Sequence, residues 1–145
     1  YYSLQKRRYG GQLLHAIESL THYLDGAASA VEKRMAVKAV CFNRRPTPAA
    51  RTMHTVFSKF YAGRIQPYLS RVHRQGRAYL TLVDSLAQQD AAPIAFHTYR
   101  ETQLRTANPV GPWSRFENAI QRHAQSWQRL FDQCGLSAAS PSSAQ

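Results

Sequence analysis

Residues 12–24 read Gln-Leu-Leu-His-Ala-Ile-Glu-Ser-Leu-Thr-His-Tyr-Leu, and large aliphatic side chains recur in them at helical spacing. Leu13, Ile17, Leu20 and Leu24 are four, three and four residues apart. This spacing puts the four side chains on one face of an α-helix, because residues three or four apart lie on the same side of the helix axis. The stretch therefore predicts an amphipathic helix with a buried apolar face.

The apolar stripe keeps its phase beyond Gly26 and reaches Phe42 by way of Val31 and Met35. Glycine is common just past a helix end, so two helices broken at Gly26 are one interpretation. Because the phase of the stripe survives Gly26, we favour the other interpretation. It predicts one long helix over residues 12–42.

A second helix is expected after a short break. Thr47-Pro48 is typical of a helix start, because threonine caps the first turn and proline fits its first position. The helix must stop or kink before Pro67, since the residue before a proline avoids the helical conformation. It is expected to bury four apolar side chains: Met53, Val56, Phe57 and Phe60.

The remaining sequence predicts three more helices and contains no strand signal. Pro67 opens a helix to about Gln89, a short helix covers residues 94–106, and a final helix ends near Gln133. The predicted fold class is all-α, an antiparallel bundle of four or five helices. Its predicted parts are a basic N-terminal arm over residues 1–11, a single helical domain over 12–136 and a disordered C-terminal tail over 137–145.

The charges of the chain are unevenly distributed. The formal net charge is +11, and no acidic residue lies between Glu32 and Asp84. Residues 33–83, the acid-free window, hold eleven Lys or Arg side chains, which equals the net charge of the whole chain. Such a window indicates a surface for an anionic partner, because an ordinary solvated face mixes both signs.

Nucleic acid is the favoured anionic partner. Arg and Lys bind phosphates without a sequence motif, and 15 of the 19 basic residues are Arg, which forms bidentate contacts with phosphate. A membrane face with acidic headgroups and an acidic protein are the other partners that stay open. The candidate nucleic-acid-binding residues are Lys6, Arg7, Arg8, Lys38, Arg44, Arg45, Arg51, Lys59, Arg64, Arg71, Arg74 and Arg77.

Nothing in the sequence predicts catalysis or metal binding. The six His residues lack the spacing to Cys or carboxylates that zinc sites use. No phosphate-binding loop, nucleophile motif or close pair of carboxylates is present. We expect no enzyme activity, no cofactor and no small-molecule substrate. Two cysteines, Cys41 and Cys134, predict reduced thiols, and a single bridge between them is the alternative.

The favoured function is that of a non-enzymatic subunit of a large ribonucleoprotein assembly, which contacts RNA backbone and neighbouring protein subunits. The start at Tyr1, the excess of Arg and the isoelectric point of about 10.3 favour a mitochondrial ribosome and its ribosomal RNA, with the cytoplasm as the alternative location. One alternative is an accessory subunit of a membrane-bound respiratory or ATP-synthase complex, with the basic face toward anionic lipid. Another is a nucleic-acid-binding subunit of a bacterial effector complex.

Overall fold

The computed structural model describes residues 9–88 and 93–137, which form four helical segments. The first segment is α1 (Tyr9–Val37). The second runs without a break over residues 48–87 and consists of α2 (Pro48–Val56), a π-helix (Phe57–Ile65) and α3 (Gln66–Ala87). The third is α4 (Ile94–Tyr99) followed by a short π-helical turn (Arg100–Leu104), and the fourth is α5 (Pro112–Gln133).

The predicted fold class is confirmed, because the described residues form an all-α helical bundle without a strand. The nearest approach to sheet structure among them is a single bridge between Phe42 and Arg45. The predicted disordered tail lies outside the described residues, apart from Ser137.

The chain forms two compact units. The first unit comprises Tyr1–His22 and Ser70–Ala119, and the second comprises Tyr23–Leu69 and Ile120–Gln145. The boundaries between the units fall inside α1, α3 and α5. A single helical domain over residues 12–136 stays a prediction.

Helix α1 is continuous through Gly26, as favoured from the phase of its apolar stripe. Its predicted end at residue 42 is wrong, because the helix ends at Val37. The chain leaves the helix to make contacts with the end of α5: the backbone N–H of Val40 donates to Gln133 Oε1 at 2.9 Å, and Cys41 bonds to Cys134. These long-range contacts outweigh the local helical pattern of the last residues.

The second segment begins as predicted and then departs from the prediction. Thr47 caps its start, because Thr47 Oγ1 accepts from the backbone N–H of Ala50 at 3.2 Å. The expected stop before Pro67 is wrong, since the helix continues to Ala87, and the kink expected as the other possibility stays a prediction. The irregularity takes the form of the π-helix, which ends two residues before Pro67. A π-helix is one of the ways in which a helix accommodates such a disruption.

The core of the second unit surrounds a disulfide. Cys41 and Cys134 are bonded, and their side chains lie among the buried residues, with exposures of 3% and 0%. The prediction of reduced thiols is therefore wrong, and the alternative of a single bridge is confirmed. The bridged cysteines are 93 residues apart in the sequence, and the fold brings them together just after the ends of α1 and α5. Six buried side chains pack around it: Val31, Val40, Ala50, Phe57, Leu130 and Phe131.

The first unit has a separate set of buried side chains from α1, α3 and α5, among them Leu13, Ile17, Val72, Leu80, Trp113 and Phe116. Gly76 permits the close approach of α3 to Trp113. A Cβ atom at Gly76 would lie 2.7 Å from Trp113 Cζ3, which is too close for any real contact. Glycine at position 76 therefore allows α3 to pack closely against Trp113 in the first unit.

Candidate anion-binding surface

Every cation of the acid-free window is exposed. Eight of the eleven cations belong to the second unit. They are Lys33 and Arg34 on α1, Lys38 just after α1, Arg44 and Arg45 in the turn before α2, Arg51 on α2, and Lys59 and Arg64 on the π-helix. The remaining three, Arg71, Arg74 and Arg77, lie on α3 in the first unit. The structure thus divides the predicted site residues between two units. The predicted arm residues Lys6, Arg7 and Arg8 lie outside the described residues.

Acidic side chains of the second unit pair with arginines from outside the acid-free window. Arg122 Nη2 donates to Glu32 Oε2 at 2.7 Å and Arg122 Nη1 to Asp25 Oδ1 at 3.2 Å, while Arg129 lies 3.4 Å from Glu32. The hydrogen bond from Arg122 lowers the pKa of Glu32 below its usual value. These carboxylates are therefore committed to cations of α5.

The same pairing occurs in the first unit. Glu101 accepts from Arg100 and Arg105, and Arg100 also lies 3.5 Å from Asp84. The hydrogen bond from Arg105 is the largest cause of the lowered pKa of Glu101. These arginines too lie outside the acid-free window, so they compensate the acids without using its cations.

Glu117 is the exception in the first unit. Its Oε1 accepts from Arg77 Nη2 at 2.8 Å and lies 3.1 Å from His73 Nε2. Burial alone would raise the pKa of Glu117, but the hydrogen bonds from His73 and Arg77 outweigh it and the pKa is lowered. Arg77 is thus a window cation with a carboxylate partner.

In the second unit the charge of the window stays uncompensated. No ion pair links its eight window cations to a carboxylate in residues 23–69 and 120–137. Arg34 instead donates to the backbone carbonyl of Lys38 at 2.7 Å. The second unit is therefore the strongly basic part of the molecule, and its exposed cations are available to an external anion.

The π-helix exposes apolar side chains among these cations. Val56, Phe60 and Ile65 are 49%, 44% and 43% exposed, so the prediction that Val56 and Phe60 are buried is wrong. Lys59 Nζ and the Arg64 guanidinium each lie 5.6 Å from the centroid of the Phe60 ring, within the range of cation–π contact. We call these five residues the outer stripe.

Helical geometry explains how the outer stripe forms. In an α-helix of about 3.6 residues per turn, Val56 and Ile65 would lie on opposite sides of the helix. A π-helix bonded from i to i+5 has about 4.4 residues per turn, so the nine steps from Val56 to Ile65 make about two full turns. The π-helix therefore brings Val56, Phe60 and Ile65 to the same side.

The inner side of the π-helix is aromatic and buried. The Phe57 ring lies 5.0 Å from the rings of Tyr61 and Trp127, and Tyr61 packs 4.4 Å from His123. Burial raises the pKa of Tyr61 and lowers that of His123 to about 4. This cluster packs the π-helix against α5.

A tight turn presents Arg44 and Arg45 next to an exposed aromatic ring. The backbone N–H of Arg45 donates to Phe42 O at 3.0 Å, and φ is 51° at Asn43 and 55° at Arg44. Positive φ at both central residues is the geometry of a type I′ turn. Phe42 is 67% exposed, so the turn too combines cations with an apolar side chain.

The described residues contain no group of three His, Cys, Asp or Glu side chains that could hold a metal ion. None of the described helices combines the length and apolar character needed to cross a membrane.

Comparison with protein families gives a match over almost the whole chain. A family profile described as "Protein of unknown function (DUF3080)" matches residues 2–138. The chain belongs to this family. Comparison with curated proteins and with solved structures finds no match. Membership in DUF3080 brings no activity with it.

For this DUF3080 chain, sequence reasoning missed the exposed apolar residues of the outer stripe, and it gave the disulfide only as the alternative to reduced thiols. Gly63 and Pro67 were a signal for the first, because both weaken a regular α-helix. For the second, the two cysteines were visible, but nothing local shows that they meet.

Proposed function

We propose that this chain docks onto an anionic membrane surface through the outer stripe and the other exposed cations of its second unit. The observation that carries the proposal is the outer stripe, where Val56, Phe60 and Ile65 are exposed and Lys59 and Arg64 flank the Phe60 ring. Helices that lie on membranes have this composition, with apolar side chains that enter the headgroup region and cations that face acidic lipids.

The size of the two contributions supports weak, reversible docking. Full burial of an aromatic side chain contributes about 1.5–3 kcal/mol, and each Lys or Arg near an anionic membrane contributes about 1 kcal/mol. The three half-exposed apolar side chains of the outer stripe and its two cations, Lys59 and Arg64, therefore supply enough free energy for weak, reversible attachment. The electrostatic part is expected to weaken with salt.

The disulfide favours a membrane over RNA. Disulfides persist in oxidising compartments and are rare in reducing compartments. Ribosomes and most other RNA assemblies work in reducing compartments. The Cys41–Cys134 bridge lies in the core of the second unit, the unit that carries most of the uncompensated charge. Contact with RNA backbone stays a prediction and is the contrary outcome of the experiment below.

A non-catalytic role is part of the proposal. Three titratable side chains of the second unit serve structure: Asp25 and Glu32 hold Arg122, and His123 is buried against Tyr61 and accepts from Trp127 Nε1 at 3.0 Å. This arrangement commits the carboxylates to ion pairs and the imidazole to the core, so neither is available for acid–base chemistry.

Co-sedimentation with vesicles tests the proposal. We expect the chain to bind vesicles of phosphatidylglycerol and phosphatidylcholine and to bind phosphatidylcholine vesicles much more weakly. Phe60→Ser should weaken binding by about tenfold through loss of apolar burial, and Lys59→Glu with Arg64→Glu should weaken it at least tenfold and reduce its salt dependence. Circular dichroism checks that each variant is folded.

Matched variants lie in the first unit. Leu82→Ser removes a side chain as exposed as Phe60, and Arg74→Glu reverses a window cation outside the second unit. Both should bind vesicles like the parent chain. Tighter binding to structured RNA than to vesicles, lost in Arg74→Glu and kept in Phe60→Ser, would overturn the proposal in favour of RNA contact.

A further inference from the structure

An open cavity of about 630 Å³ lies on the surface of the second unit, beside the outer stripe. One wall comes from α2 and the start of the π-helix, with His54, Thr55, Ser58 and Lys59, and the other comes from the chain after α5, with Leu136 and Ser137. Small-molecule sites usually have volumes of about 300–1,000 Å³. The cavity shares Lys59 with the outer stripe, so it opens where we propose that the membrane is met.

The end of α5 builds the second wall. Gly135 adopts a positive φ of 65°, the N–H of Leu136 donates to Phe131 O at 2.8 Å, and that of Gly135 donates to Asp132 O at 3.1 Å. This pair of hydrogen bonds is the Schellman motif, which fixes the direction of the chain after a helix. Leu136 consequently packs against the core of the second unit and forms an apolar wall that does not depend on a ligand.

His54 holds the wall in position. Its Nε2 lies 2.8 Å from the carbonyl oxygen of Ser137, which can only accept, so Nε2 carries the proton and donates. The His54 ring also packs edge-on against Phe131 at 5.0 Å. The cavity is therefore bounded by fixed elements on both sides, and preformed walls reduce the entropy lost on binding.

The lining combines apolar groups with hydrogen-bond donors. Leu136 and the methyl group of Thr55 are apolar, because the Thr55 hydroxyl is turned to the carbonyl of Arg51 at 3.0 Å. The Ser58 hydroxyl and the Lys59 ammonium supply hydrogen-bond donors, and Lys59 supplies a positive charge. A ligand that satisfies both parts has an anionic head next to an apolar chain.

We infer that this cavity binds one anionic lipid molecule, with the phosphate of its headgroup at Lys59 and Ser58 and the first part of its acyl chain against Leu136 and Thr55. The inference rests on the proposed function, since the outer stripe brings the cavity to the membrane. It adds recognition of a single lipid to attachment by surface charge.

Calorimetric titration of the full chain with a short-chain lysophosphatidylglycerol, kept below its micelle concentration, tests the inference. We expect saturable binding to one site, with binding at least tenfold weaker for the zwitterionic lysophosphatidylcholine of the same chain length and for glycerol 3-phosphate, which lacks the chain. Equal binding of glycerol 3-phosphate would identify a free-phosphate site and overturn the lipid assignment. Equal binding of lysophosphatidylcholine would overturn the role of Lys59.

Thr55→Trp fills the cavity from an exposed helical position, and Thr52→Trp is its matched control. Both threonines are exposed on α2 and donate their hydroxyl to the carbonyl four residues earlier, but only Thr55 lines the cavity. Thr55→Trp should weaken binding of the single lipid at least tenfold, while Thr52→Trp should bind like the parent chain. Unchanged binding by Thr55→Trp would overturn the inference.

The two proposals fail separately. If the parent chain binds anionic vesicles but no lysophosphatidylglycerol monomer, the cavity inference is wrong and the docking proposal stands. If Phe60→Ser binds the monomer like the parent chain and the parent chain binds no vesicles, the docking proposal is wrong.

Discussion

A single missing side chain decides the packing of the first unit at Gly76. A Cβ atom there would lie 2.7 Å from Cζ3 of the buried Trp113 ring, which cannot move aside without disturbing its own neighbours. Alanine has the higher helix propensity, but overpacking a close contact costs about 1–3 kcal/mol, which outweighs the gain. We predict that Gly76→Ala lowers the free energy of unfolding by about 1–2 kcal/mol in urea titrations.

Gly26→Ala is the matched control for this prediction. Gly26 also lies inside a helix, but it is exposed, and a Cβ atom there would meet no other atom within 4 Å. Helix propensity then acts alone and should raise the free energy of unfolding by about 0.5–1 kcal/mol. A stabilising effect of both substitutions would contradict the packing argument at Trp113.

The buried imidazole of His123 predicts a loss of stability in mild acid. Burial lowers its pKa to about 4, against 6.5 for an exposed histidine. Between these values the unfolded chain binds a proton that the folded chain does not, so stability falls as pH falls from 6.5 to 4. The size of the shift corresponds to a loss of about 2–3 kcal/mol, measured by urea titration across this pH range.

His123→Gln separates this histidine from other titrating groups. The glutamine side chain keeps an acceptor for Trp127 Nε1, which now donates to His123 Nε2 at 3.0 Å, but it does not titrate. Glu32 and Glu101, whose pKa values are lowered, lose their stabilising effect only as pH falls through and below about 4.5. The parent chain and His123→Gln should therefore diverge between pH 6.5 and 4.5. Parallel curves over that range would contradict the prediction.

At the scale of elements, the π-helix converts an ordinary amphipathic pattern into an exposed apolar stripe. The helix was expected to keep its 3.6-residue period up to Pro67, and on that basis Phe60 was placed in the core with Phe57. Phe57 is buried as expected. The wider turn after Val56 rotates Phe60 and Ile65 outward, where Lys59 and Arg64 flank the Phe60 ring. The change from the α-helical to the π-helical period therefore creates the outer stripe.

The all-α fold class and the exposed positions of the window cations could be predicted from sequence, because both follow from local periodicity. The end of α1 could not. Val37 ends the helix because Val40 and Cys41 bond to Gln133 and Cys134, which lie more than 90 residues away. The outer stripe was missed for a related reason, since no local rule states whether a helix near Pro67 breaks, kinks or widens.

The turn between α1 and α2 depends on the same long-range contacts. Asn43 and Arg44 both have positive φ, and Arg44 pays a steric penalty that asparagine and glycine largely avoid. The turn is flanked by the Cys41 bond and lies against Gly135, where a Cβ atom would be 2.5 Å from the Arg44 carbonyl oxygen. The structure around the turn therefore enforces a conformation that the local sequence disfavours.

At the scale of the whole molecule, each unit is assembled from two distant stretches of chain. The second unit needs Tyr23–Leu69 and residues from Ile120 onward, and its core lies between them. Bringing such stretches together on folding closes a long loop, which costs chain entropy. A covalent link between the stretches already closes this loop in the unfolded chain, so less entropy is lost on folding. The disulfide is the one covalent link that the described residues contain, and its role is therefore to hold the second unit together.

We predict that loss of the Cys41–Cys134 bridge destabilises the chain strongly. For a loop of 93 residues, restriction of the unfolded chain contributes about 4–5 kcal/mol. Alanine at both positions avoids burying new hydroxyl groups at sites that are 3% and 0% exposed, so the double variant should unfold in urea with a free energy lower by about 3–5 kcal/mol. Because both sulfurs are buried, dithiothreitol should reduce the bridge in the native parent chain only slowly, and quickly once urea unfolds it. An unchanged urea midpoint in the double variant would contradict the structural role of the bridge.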